Sequence, residues 1–281
     1  MTGYAKPEVL VETEWLEEHL DDPNVRVIEV DEDTTAYEKG HIRGAVPWNW
    51  SSDLHTEVGR DYVDREGFER LLSAAGVGPA TTVVLYGGNN NWFAAYAYWL
   101  LELRGFEDVK LLNGGRKKWE LESRELTQDV PSYPPTGITL AGPERPQIRA
   151  LRDDVLAQVS GEAAFVDVRS PEEFRGEKLA PDHLPQEQSQ VPGHIAGAVN
   201  IPWVKAANDD GTFKSADELR ALYGSEGVTP DRPVVAYCRI GERSSHTWFV
   251  LQELLGYPNV RNYDGSWTEY GSLVGVPVER G

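Results

Sequence analysis

Gly40–Trp50 reads GHIRGAVPWNW, and Gly193–Trp203 reads GHIAGAVNIPW. Two segments this alike, 153 residues apart, point to a domain-sized internal repeat, and such a repeat sets the architecture before any local reading does. Three more pairs run in the same order. VIEVD at Val27–Asp31 faces FVDVR at Phe165–Arg169, and LYGGNNNWF at Leu85–Phe93 faces AYCRIGERS at Ala236–Ser244. RGFEDVKLLNGG at Arg104–Gly115 faces LGYPNVRNYDGS at Leu255–Ser266. The offsets are 138 for the first of these pairs and 151 for the other two. The step from 138 to 153 puts about fifteen extra residues into the second copy, within FRGEKLAPDHLPQEQSQVP. That stretch is rich in Pro, Gln and charge and reads as a long surface loop, a kind that often carries function.

Each copy repeats one pattern. A short apolar run (VRVIEV or AAFVDV) reads as a buried strand, followed by the glycine-flanked GHI turn. An amphipathic helix ending in Gly comes next (REGFERLLSAAG or SADELRALYGSEG), then a second apolar strand, TTVVLY or RPVVAY. A loop opens a further helix, and VKLLNGG or VRNYDGS closes the unit. Strands alternating with helices predict an α/β fold of two tandem domains, each a parallel sheet covered by helices on both faces. The Pro- and Gly-rich stretch Thr127–Gln147 reads as a linker, so the expected boundaries are 8–126, 127–147 and 148–281.

Composition narrows the function. Hydrophobic residues make up 40% of the 281 and aromatics 10%, enough for two proper cores. No apolar run is long enough to span a bilayer, and no secretory signal opens the chain, so a cytoplasmic protein is expected. A net charge of −19 argues against nucleic acid and anionic membranes as partners, because both require a basic footprint. A small anionic substrate would need a positive potential confined to its site. The single cysteine rules out an intramolecular disulfide and a multi-cysteine zinc site. Without HExxH, a P-loop or a dinucleotide fingerprint, neither a metal nor an organic cofactor is expected.

A lone cysteine is ordinarily a small buried hydrophobe. The surroundings of Cys238 argue otherwise. It follows the strand VVAY and begins the loop Cys238-Arg239-Ile240-Gly241-Glu242-Arg243, after which SSHTWF continues as a helix. The carboxyl end of a parallel strand is where α/β sheets place ligands. A following helix N-terminus and nearby arginines favour a thiolate. Gly241 allows the backbone to curl so that successive N–H groups form an anion nest. The sequence therefore predicts Cys238 as nucleophile, with Arg239, Ile240, Gly241, Glu242 and Arg243 as the substrate-binding loop. Arg243 closes the loop and is expected to face a bound anion, while Arg239 is expected to project towards solvent. In the first copy Gly87 stands where Cys238 stands, so that domain is expected to be a scaffold without a nucleophile.

GHIRGAV, GHIAGAV, CRIGER and the near-terminal VRNYDGSWTEY (Val260–Tyr270) together resemble the two-domain rhodaneses, and the resemblance covers essentially the whole chain. It implies a thiosulfate:cyanide sulfurtransferase that carries sulfur as a persulfide on Cys238, with thiosulfate as donor and cyanide or a thiol as acceptor. The six-residue loop, CX4R, fits a single transferred sulfur, whereas the related phosphatases use a longer CX5R loop for a phosphoryl group. The alternatives are a 3-mercaptopyruvate sulfurtransferase, whose branch has a small neutral loop, and a non-catalytic sulfur-carrier or binding module. Two positions depart from the animal thiosulfate enzymes: Ile240 replaces a Lys, and Glu173 replaces an Arg.

Four histidines and one basic segment complete the reading. His41 and His194 occupy equivalent turns in both copies and are expected to be structural. Asp167 and Arg169 resemble the family's strand-end pair, which holds the surroundings of the loop. His183 is expected to be a solvated loop residue. His246, on the first turn after the loop, is not needed as a base if a nest holds the thiolate. GGRKKW (Gly114–Trp119) reads as a solvated basic face.

Overall fold

The computed structural model describes residues 3–31, 33–180 and 188–281. His183 lies outside the described residues. The chain forms two compact units. Among the described residues, the first comprises Glu8–Arg145 with Asn208–Phe213, and the second Pro146–Ala207, Lys214–Gly281 and the segment ending at Pro7.

The strands of the first unit are β1 (Leu10–Val11), β2 (Val25–Asp31), β3 (Val46–Asn49), β4 (Thr82–Tyr86) and β5 (Val109–Leu112). They form one five-stranded sheet in the order β1-β5-β4-β2-β3, every pairing parallel. Every residue of β2 and all of β4 except Thr82 are buried, as unbroken apolar runs require of strands covered by helices on both faces.

The second unit contains β6 (Arg149–Ala150), β7 (Ala164–Asp167), β8 (His194–Ile195), β9 (Val199–Asn200), β10 (Val234–Tyr237), β11 (Val260–Tyr263) and β12 (Val278–Glu279). Its parallel sheet runs β6-β11-β10-β7-β9, the topology of the first unit repeated. A separate antiparallel ribbon pairs β12 with β8. β10 is the central strand, and Tyr237 at its end aligns with Tyr263 of β11 and Asp167 of β7. The three strands thus finish level, and Cys238 is the first residue beyond that shared edge.

Repeated sequence produces repeated bonds. The Tyr86 hydroxyl accepts from the Ile42 amide at 3.0 Å, and the Tyr237 hydroxyl from the Ile195 amide at 3.1 Å. His41 stacks on Tyr37 and His194 on Phe174, with ring centroids 3.7 and 3.6 Å apart. In each, Nδ1 meets the backbone carbonyl of its stacking partner. Both histidines therefore fasten the turn that follows the first long strand of their unit.

The basic segment Gly114–Trp119 departs from expectation. Lys117 is exposed, but Arg116 is buried and grips the buried Glu29 with one terminal nitrogen 2.6 and 2.7 Å from its two carboxylate oxygens. Its other terminal nitrogen donates to the Gly40 carbonyl at 2.8 Å. In the second unit Arg169 does the same work, pairing with the wholly buried Asp167 at 2.6 Å and donating to the Gly193 carbonyl at 2.7 Å. The arginine comes from a different part of the chain in each copy. Alignment of the copies could therefore not reveal Arg116 as a core residue.

Thr127 and the residues after it lie along the first unit. Thr127 and His41 exchange two backbone bonds of 2.8 Å, and the Tyr133 ring covers the Arg26 guanidinium at 3.3 Å. The segment before Pro7 instead belongs to the second unit. The Ala5 amide donates to the Leu254 carbonyl at 2.7 Å, Lys6 pairs with the fully buried Glu253, and Tyr4 donates to the Lys214 carbonyl at 2.7 Å. Among the described residues, no helix is long and apolar enough to cross a membrane.

Candidate functional site

Cys238 is fully buried at the carboxyl end of β10. The loop after it curls because Gly241 adopts φ +100°, then becomes the helix Glu242–Phe249. A side chain at Gly241 would be strained at that φ, and its Cβ would lie 2.7 Å from the Asp264 Cα. The curl brings the Gly241 amide to 3.1 Å from Cys238 Sγ, so its N–H donates to the sulfur.

Three of the loop's carbonyls are bonded elsewhere. The Cys238 carbonyl accepts from the Trp267 amide and the Arg239 carbonyl from the Thr268 amide, each at 3.0 Å. The Gly241 carbonyl accepts from the Ser244 and Ser245 hydroxyls and the Asn262 side-chain amide at 3.1, 2.9 and 3.0 Å. An anionic sulfur would be repelled by carbonyl dipoles and attracted by N–H dipoles, so this arrangement leaves the attractive end facing the cysteine. Ser266 completes the support: its Oγ accepts from the Cys238 amide at 3.1 Å.

Ile240, Arg239, Glu242 and Arg243 are all buried. Arg239 is 4% exposed, against the expectation that it projects into solvent; its carbonyl, anchored on Thr268, holds the residue in the loop. Arg243 directs both terminal nitrogens onto Glu173, each 2.9 Å from a carboxylate oxygen. Glu173 is 1% exposed, on the short helix Pro171–Phe174, whose cap Ser170 exchanges bonds with it. Burial disfavours the charge on Arg243, but the bonds and charge of Glu173 outweigh it and raise the guanidinium pKa further. Burial likewise opposes the Glu173 carboxylate, and Arg243 overcomes this to hold it below the ordinary glutamate value. Both are therefore charged at neutral pH. The guanidinium expected to face an anion is thus engaged by a carboxylate, and the position where the chain departs from the animal enzymes supplies that carboxylate.

His246 is buried, its ring meeting Trp203 edge-on at 5.1 Å. Asp167 and Arg169 are buried at the end of the strand beside β10, the guanidinium 5.0 Å from the Trp267 ring centroid. Ser266 and Asn262 were not singled out from sequence, although VRNYDGSW contains both; which way their side chains point is a property of the fold.

The corresponding loop of the first unit has another form. Asn89, Asn90 and Asn91 all adopt left-handed conformations, φ +47°, +54° and +62°. Asparagine tolerates that region better than other non-glycine residues do. Asn91 turns inward, its Oδ1 accepting from the Gly87 amide at 3.1 Å and its Nδ2 donating to the Leu112 carbonyl at 2.7 Å. No thiol is present there, and a side chain occupies the interior of the loop.

Known proteins resemble this arrangement throughout. The rhodanese-like domain family matches residues 12–122 and 151–273. A Saccharopolyspora erythraea protein named "Putative thiosulfate sulfurtransferase" is 60% identical over 275 residues, 98% of this chain and 97% of its own. The "Sulfur carrier protein TtuD" of Thermus thermophilus is 57% identical over 284 residues, 99% of each chain. The anaerobic ergothioneine biosynthesis enzyme of Chlorobium limicola, solved with trimethyl histidine, superposes with a TM-score of 0.84 at 25% identity, covering 99% of this chain and 71% of that one. With two matched segments, the repeated sheet and full-length relatives, the chain belongs to the rhodanese family.

Proposed function

We propose that the chain is a sulfurtransferase that carries sulfur as a persulfide on Cys238. The Cys238 thiolate attacks the outer sulfur of thiosulfate; the new S–S bond forms as the old one breaks, and the electron pair leaves with sulfite. A thiophile, cyanide or a thiol, then attacks the outer sulfur of the persulfide and the thiolate departs, restoring the starting state. The observation that carries this reading is the Gly241 N–H at 3.1 Å from Sγ, in a loop whose Cys238 and Arg239 carbonyls are bonded to the Trp267 and Thr268 amides. Developing negative charge on sulfur meets a donor that needs no reorganisation. Arg239, Ile240, Gly241, Glu242 and Arg243 form the binding loop in this reading. Residues 148–281 form the catalytic domain, 8–126 a domain without a nucleophile and 127–147 the connection between them.

The ion pair between Arg243 and Glu173 favours a second reading of the donor. It lowers the positive charge available to a dianion, so mercaptopyruvate, with its single carboxylate, is the alternative to thiosulfate. The Thermus relative is named a sulfur carrier protein, which favours a role in handing sulfur onward. Mass spectrometry after exposure to thiosulfate tests the mechanism. A gain of about 32 Da on Cys238 is expected for one added sulfur; an unmodified cysteine together with sulfite release would refute it.

A further inference from the structure

We infer that Ser266 is a positioning residue: it holds the Cys238 backbone from outside the loop and so keeps the interior free for the transferred sulfur. This rests on the reading of Cys238 as sulfur acceptor. The two copies provide the comparison. The Trp267 amide donates to the Cys238 carbonyl at 3.0 Å, and at the same offset the Arg116 amide donates to the Gly87 carbonyl at 3.1 Å. The residue before each donor is left-handed in both copies, Ser266 at φ +50° and Gly115 at φ +56°. Glycine adopts that backbone without strain, and serine does not. A strained serine where the sister copy has glycine calls for a reason in its side chain.

The hydroxyl supplies one. Its Oγ accepts from the Cys238 amide at 3.1 Å and donates to the Tyr263 carbonyl at 2.6 Å, so its hydrogen is engaged and the lone pair facing Cys238 is fixed. In the first copy the equivalent amide, Gly87, is capped instead by Asn91 Oδ1 from within the loop. The two caps exclude one another, since a Cβ on Gly115 would lie 2.3 Å from Asn91 Oδ1. One copy fills its loop with the cap. The other caps from the neighbouring strand-to-helix turn, leaving the Gly241 N–H and Sγ to face each other. With Cys238 held at its N–H by Ser266 and at its carbonyl by Trp267, the Cα–Cβ bond has a fixed direction.

The test is rapid-mix sulfur loading of the full chain by thiosulfate, comparing the native protein with Ser266→Ala and Ser266→Gly. A misaimed nucleophile should lower the loading rate at saturating thiosulfate by roughly tenfold, misplacements well under 1 Å being enough for such losses. The half-saturating concentration should stay within about twofold, because both bonds of the Ser266 hydroxyl go to backbone groups. The glycine variant relieves backbone strain and still lacks the hydroxyl, so it should be as slow as the alanine variant. Native rates in both variants, or recovery in Ser266→Gly alone, would overturn the inference. So would a fall in the fraction of protein loaded at an unchanged rate, which marks lost folding. If the native chain itself gains no sulfur, the fault lies with the proposed function and not with Ser266.

Discussion

Arg243→Ala would leave the Glu173 carboxylate 1% exposed and without the fork that now bonds it at 2.9 Å twice. At an effective dielectric constant of 20, unit charges 4 Å apart interact by about 4 kcal/mol. Breaking one side of a buried pair costs about 3–5 kcal/mol, because the survivor cannot be solvated. A loss of that size is expected for Arg243→Ala in denaturant unfolding at pH 7. Replacing both partners by Met should restore stability to within roughly 1–2 kcal/mol of native, since no buried charge then remains. The pH dependence provides a second check. In the native protein Glu173 is held below its ordinary value of 4.5, so its contribution is present above about 4.5 and is lost as the pH falls through the folded value. Without Arg243, burial pushes the same carboxyl up, so the deficit should be greatest at neutral pH and shrink as Glu173 takes up a proton. Sulfur transfer should slow in both half-reactions, because a guanidinium bonded to Glu173 acts through the shape of the loop. A deficit under 1 kcal/mol, a double variant as unstable as the single, or a defect confined to donor cleavage would refute the reasoning; the last would mean that Arg243 leaves Glu173 to bind the donor.

Cys238→Ser should abolish sulfur transfer and leave the thermal midpoint nearly unchanged; residual transfer above about one-thousandth of native in a coupled sulfite assay would exclude the persulfide route. Thiosulfate should give a higher kcat/KM than mercaptopyruvate when sulfite and pyruvate are measured side by side, and the reverse order would assign the chain to the other donor. In the first unit, Arg116→Ala should destabilise by about 3–5 kcal/mol by stranding Glu29, whereas Lys117→Ala, at an exposed position, should stay within about 0.5 kcal/mol. Chemical denaturation of the two variants distinguishes a core arginine from a surface one.

Much of this molecule was legible before any coordinates. Buried parallel strands have apolar sequences whatever surrounds them, and duplication prints the same run twice, so sheets, repeat and cysteine loop could all be read from VIEVD, GHIRGAV and CRIGER. The ion pairs could not be. Glu173 lies 70 residues from Arg243 and Glu29 lies 87 from Arg116, and such pairings are made by tertiary packing alone. CRIGER places Arg243 at the end of the loop, but the direction of its guanidinium depends on a carboxylate from another element. Ser266 was hidden differently: nothing in DGSW says that its serine is left-handed.

The segment before Pro7 has a consequence for how the chain is built. Lys6 precedes every strand of both sheets, yet its partner Glu253 lies 247 residues further along the chain. Contacts of such sequence separation are the slowest to close, because the intervening chain must be ordered before they reward it. The strands of the first sheet all lie within residues 10–112, whereas the second unit is not complete until the segment before Pro7 packs against it. A fragment starting at the linker would contain every strand of its sheet and still leave Glu253, wholly buried, without the Lys6 ammonium. The two halves of this duplication are alike in topology, and each is completed by a segment from outside its own copy.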